Sequence, residues 1–189
     1  MSSCIGSLFL AAAFLGAATA VCANPMASNN PNADDQAAIA SAISAAPASV
    51  SAKAAVMAMD AAGKMRTLRE GSNGFTCFPD DPSSPGKDPM CLDAPAMEWL
   101  KAVFAHQPPP QGHVGFIYML QGGSEAGNIS PYDSKPADGH WLTTGPHVMV
   151  VGADPEFYAA YPSGPNPDTT QPYVMWAGTP YQHLMAPVR

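Results

Sequence analysis

Positive charge is scarce in this chain. Lys and Arg number 8 against 15 Asp and Glu, which gives a net charge of −7 and a pI near 4.9. Nucleic acids and anionic membranes are both gripped through basic patches, so this balance argues against either partner. Motif signatures are missing as well. The sequence contains no HExxH, CxxC, phosphate-binding Gly-Lys-Ser/Thr loop, dinucleotide fingerprint or EF-hand loop, which removes the best-marked metal, redox and nucleotide chemistries. Long stretches without proline are also few. Of 21 prolines, 18 lie at or beyond Pro79. A helical bundle or a coiled coil cannot be built through them.

What is present begins with an uncharged apolar run, Ile5 to Val21, with no charged side chain before Asp34. It leads into Val21-Cys22-Ala23 and the polar Asn24-Pro25, the pattern of a signal peptide over residues 1–23 cut after Ala23, with Ala20 as the alternative. Its small side chains make a poor membrane span. The expectation is a periplasmic or secreted protein with no membrane contact beyond the cleaved leader. Cys4 and Cys22 leave with that leader, so Cys77 and Cys91 remain and are expected to form one structural disulfide. Closing a 15-residue ring contributes about 3 kcal/mol. The ring encloses FPDDPSSPGKDPM, whose four prolines leave it little else to hold its shape.

After a mature N-terminus over 24–36 that reads as disordered, residues 37–189 read as a single domain. Ile39 and Ile43 lie four apart among alanines, which predicts a short helix over 37–46. Asp60-Ala61-Ala62-Gly63-Lys64 separates VMAM from MRTLR and predicts a hairpin. Over 96–107, Asp93 is placed as a cap and Pro95 in the first turn, with Met97, Leu100, Val103 and Phe104 on one apolar face. The runs 113–120 and 147–151 are apolar on both faces and read as interior strands; 173–176 and 181–185 are further short apolar runs. Residues 155–161 predict a helical turn or two. Short strands with isolated helices and no strand–helix alternation predict an α+β fold: a small, mainly antiparallel sheet, a few short helices and long Pro/Gly-rich loops. The 121–140 loop, with Tyr132 and Trp141, is expected to be ordered and to help wall a cleft.

Two candidate chemistries follow. His147-Val148-Met149 and His183-Leu184-Met185 each place an imidazole two residues before a thioether, and Met57-Ala58-Met59 repeats the spacing. On a strand, such residues share a face, so each pair can offer both donors to one ion. Imidazole with thioether suits Cu(I), and the spacing resembles that of periplasmic copper carriers. A site built from His147, Met149, His183 and Met185 requires the two segments to be neighbours; otherwise all four are ordinary core residues. Secondly, Gly122-Gly123-Ser124-Glu125-Ala126 after a strand resembles a nucleophile elbow but lacks its last glycine, and Gly127 to Pro131 discourages the helix that should follow. A small hydrolase using Ser124, with His140, His147 or His183 as base and Asp133 or Asp138 as orienter, is the alternative. The aromatic residues suit a small apolar ligand or a glycan.

The segments NGFTCFPDDPSSPGKDPMC, GFIYMLQGGSEA, TTGPHVMVVG and QPYVMWAGTPYQHLMAPV resemble those of a group of small exported bacterial proteins. The likeness runs from about Asn73 to the C-terminus. It implies export and implies no activity, cofactor or catalytic residue.

Overall fold

The computed structural model describes residues 33–60 and 62–188. The leader, both cleavage points and residues 24–32 lie outside the described residues.

The chain opens with helix α1 (Ala33–Ile43) and a single turn, α2 (Ala48–Ser51), then strands β1 (Ala55–Met59) and β2 (Met65–Arg69). Helix α1 starts inside the segment expected to be disordered. Asp34 and Asp35 lie in its first turn, where carboxylates favour the positive end of the helix, and Asp35 pairs with Arg66 of β2. The predicted hairpin forms: β1 and β2 pair antiparallel, and the Asp60 carboxylate accepts from Ala62 N and Lys64 N across the turn, each at 2.9 Å.

Strands β3 (Thr76–Phe78) and β4 (Met90–Leu92) bracket the proline-rich ring. They pair with Cys77 directly opposite Cys91, so the disulfide links neighbouring strands. Helix α3 (Ala94–Phe104) begins as the sequence predicts. The Asp93 carboxylate accepts from Ala96 N at 3.0 Å, and Pro95 occupies the first turn. Its buried residues are Ala96, Trp99 and Val103. Phe104, predicted on the buried face, is 60% exposed. The stripe that packs runs through Ala96, Trp99 and Val103, so Phe104 falls outside it although Val103 beside it is buried.

Next come β5 (Gly115–Met119), β6 (Gly123–Glu125), β7 (Leu142–Thr144), β8 (His147–Val151), the turn α4 (Pro155–Tyr158), β9 (Tyr173–Met175) and β10 (His183–Pro187). Eight strands form one sheet in the order β2-β1-β3-β4-β5-β8-β10-β9. Every pairing is antiparallel except β1 with β3. The fold is therefore α+β around a mostly antiparallel sheet, with β5 and β8 interior as expected. The 121–140 loop is less irregular than the sequence suggests, because its start forms β6, which pairs with β7 in a separate ribbon.

The two larger of three buried clusters lie on the sheet's opposite faces, the third gathering Tyr158, Val174 and Leu184. Alanines of α1 and the turn after it pack with Val56 and the disulfide on one side. On the other, α3 lies over Ile117, Met119, Met149, Met175 and Met185, with Trp99 and Trp176 between. Gly115 allows this approach: a Cβ there would meet the Ala96 backbone nitrogen at 2.3 Å. Among the described residues, no helix is long and apolar enough to cross a membrane.

Candidate functional site

Strands β8 and β10 are neighbours, as the paired His-x-Met reading requires. Their register sets Met149 directly opposite Met185, and His147 opposite Pro187. His147 and His183 thus stand four positions apart along the shared ladder, roughly 13 Å of strand. All four candidate residues share a face because alternate residues of a strand do. Outer strands extend the set. On β5, Met119 faces His147; on β9, Met175 faces His183. The result is a zigzag of soft donors across four strands: Met119, His147, Met149, Met185, His183, Met175. The register divides it into two histidine-centred groups, joined by the Met149–Met185 pair. Met57 and Met59 lie elsewhere, on β1, with Met59 56% exposed.

Both histidines are held alike. His147 Nδ1 lies 2.7 Å from Gly145 O, and His183 Nδ1 lies 3.0 Å from Tyr181 O; each partner is the carbonyl two residues upstream. A carbonyl only accepts, so Nδ1 carries the proton and, in the neutral ring, Nε2 carries the lone pair. Neither Nε2 has a hydrogen-bond partner, although His147 and His183 are 1% and 0% exposed. Burial lowers both basicities and pushes His183 down to about 4, which keeps the rings neutral. His183 also packs edge-on against Trp99 and Trp176, at centroid distances of 5.2 and 4.8 Å. The indole Nε1 groups of both tryptophans lack partners too.

Above this face lies a cavity of about 430 Å³, reached by Met119, Met149, His183, Trp99 and Trp176 and closed by β6 and the disulfide ring. The ring supplies Asp88, whose carboxylate accepts from Asp81 N at 2.9 Å and from Ser84 Oγ. Strand β6 supplies Ser124 and Glu125. A Cβ on the intervening Gly123 would lie 3.0 Å from Met119 Cε, 3.6 Å from His147 Cε1 and 3.9 Å from Asp88 Cβ. Sheet face and acidic wall therefore meet at that glycine. Desolvation, helped by the charge of Asp88, pushes Glu125 up to about 7. Asp88 is also raised, first by burial and then by Asp80 beside it.

Ser124 reaches the cavity, but its strand does not turn into a helix. Its hydroxyl lies 3.5 Å from Thr143 Oγ1, and among the described residues no histidine hydrogen-bonds it. His140 pairs with Asp138 on the surface at 2.9 Å. Asp133 accepts from Ser130 N within the 121–140 loop. Tyr132 anchors that loop: its hydroxyl donates to Val103 O at 2.7 Å, and its ring stacks on His106 at 4.1 Å. Glu125, Asp88 and the Trp99–Trp176 pair carry no sequence signal of their own. Only the packing of the ring and β6 over the sheet brings them together.

No group of three or more His, Cys, Asp and Glu side chains placed to hold a metal ion occurs among the described residues; methionine sulfur is a different donor set. No family model, curated protein or solved structure matches the chain.

Proposed function

We propose that this is an exported binding protein for a soft, monovalent ion of the Cu(I) class, held on the sheet face by His147, Met149, His183 and Met185. The observation that carries this reading is the pairing of Met149 with Met185, flanked by two buried imidazoles whose Nε2 lone pairs have no partner. Thioether and neutral imidazole are soft donors that select Cu(I) over hard cations. A metal-bound histidine commonly gives its other N–H to a backbone carbonyl, as both rings do here. The four ladder positions between the histidines favour two neighbouring donor groups over one four-donor site. Met119 completes the first and Met175 the second. The cavity gives an ion a route to the face through Met119, Met149 and His183.

The test is an anaerobic competition for Cu(I) between the disulfide-intact protein and a chromophoric chelator. Tight binding is expected, with His147→Ala and Met185→Ala each lowering the affinity or the stoichiometry. If the protein takes no Cu(I) from the chelator, the soft-donor face is core and the reading is withdrawn.

A further inference from the structure

We propose that the acidic wall of the same cavity binds a small organic ammonium ion, its charge set between Glu125 and Asp88 and its apolar part against Trp99 and Trp176. This site is separate in chemistry from the soft-donor face and does not depend on it.

The argument begins with charge. Glu125 is largely withdrawn from solvent, yet among the described residues it makes no side-chain hydrogen bond and no ion pair. Asp88 beside it has hydrogen-bond donors but no cation within ion-pair distance. Lys135 lies at the rim, exposed and unpaired with either. Among the described residues, no Lys, Arg or His forms an ion pair with either carboxylate. The charge of Asp88, without a counter-charge, raises the proton affinity of Glu125, and a bound cation relieves that repulsion.

The shape of the cavity then selects the kind of cation. Asp81 and Asp133 also line the space, but among the described residues no three acidic, His or Cys side chains are placed together to ligate a hard metal ion. Aromatic side chains line the same space. Trp99 and Trp176 stack with their planes 5° apart, and Trp141 also borders the space. Indole faces attract cations, most strongly when water is excluded, and they cover alkyl groups. A cavity of about 430 Å³ lies in the range that encloses a small molecule. An alkylammonium ion meets all these surfaces at once: N–H donors to the carboxylates, positive charge to the rings, carbon to the methionines.

The experiment is calorimetric titration of the metal-free, disulfide-intact protein with n-butylammonium, n-butanol and butyrate at pH 8. Butylammonium is expected to bind at least 10-fold more tightly than either other probe, and Glu125→Gln to remove that preference. Glu125→Gln should leave the Cu(I) competition as in the unaltered protein, which separates this site from the soft-metal reading. Equal binding of butanol and butylammonium, or no binding of butylammonium at millimolar concentration, overturns the proposal. If Glu125→Gln does not fold, the comparison of the three probes on the unaltered protein decides the question alone.

Discussion

The two faces of the sheet are packed to different standards. Under α1, the core is built from Ala42, Ala45, Ala46 and Ala54, one valine and a disulfide; these small groups leave the helix close to the strands. The one buried polar side chain there, Ser51, hydrogen-bonds the Ala46 carbonyl. Under α3, the core includes methionines and tryptophans beside a cavity, and four of the five buried polar side-chain atoms without partners among the described residues belong to Trp99, Trp176, His147 and His183. An unsatisfied buried polar atom costs on the order of 1–3 kcal/mol. Among the described residues, none of these atoms belongs to the α1 core.

The largest effect that would sharpen this contrast comes from the disulfide. Replacing Cys77 and Cys91 with alanine removes about 3 kcal/mol of ring closure and leaves a gap in the α1 core, for a loss of about 3–5 kcal/mol. Urea denaturation monitored by tryptophan fluorescence measures it. Because Trp99 and Trp176 lie on the other face, the folded variant should keep the native emission maximum. A shifted maximum in the folded state would mean that the two faces are not independent.

Glu125 comes next, with the opposite sign. Its carboxyl titrates at about 7 in the fold and at 4.5 as an ordinary glutamate. A raised acid pKa means that its contribution to stability is present in full below 4.5 and is lost as pH climbs through 7. The difference corresponds to about 3 kcal/mol. Glu125→Gln should therefore raise stability by up to that amount at pH 8 and change little at pH 4. His183 runs the other way. Its pKa falls from 6.5 to about 4, so its contribution is present above 6.5 and is lost as pH drops through 4. Between pH 4.5 and 6.5 the two slopes offset each other in the native protein. The Glu125→Gln variant should expose the His183 slope as a loss of stability on acidification across that window. Denaturation midpoints at pH 4, 5, 6, 7 and 8 test both statements, and a variant no more stable than the native protein at pH 8 refutes the first.

How much of this was legible in the residues depended on how local each cause is. Helix α3 could be read because its start is written by Asp93 and Pro95, and the hairpin because Asp60 and Gly63 make its turn. The interior strands β5 and β8 could be read as apolar runs. The start of α1 could not, because its stabilising partner is Arg66, 31 residues away. Phe104 marks a related limit: periodicity suggests an apolar stripe through Met97, Leu100 and Phe104, but the stripe that packs is Ala96, Trp99 and Val103. For the site, His-x-Met spacing marked the residues and their common face. Whether β8 and β10 adjoin, which methionine faces which, and that Met119 and Met175 extend the row, all depend on strand order. Strand order is set by pairings across the whole chain and leaves no trace in spacing. The acidic wall is the extreme case, since Asp88 and Glu125 come from a disulfide ring and a short ribbon strand that meet only in the folded chain.

The smallest predicted effect on stability bears most directly on what the α3 face is for. Met149 and Met185 are 7% and 2% exposed and face each other across β8 and β10. Leucine has nearly the volume of methionine, so Met149→Leu and Met185→Leu should each cost less than about 1.5 kcal/mol. If the pair only fills space, nothing else changes, and any Cu(I) binding persists in both variants. If the thioethers are ligands, Cu(I) affinity drops sharply while the denaturation midpoint barely moves, because leucine replaces the carbon and not the sulfur lone pair. Alanine cannot make this distinction, since truncation at these positions costs 2–5 kcal/mol and confounds lost ligation with lost packing. A stability change too small to matter, beside an affinity change too large to ignore, is the signature that separates a site from a core.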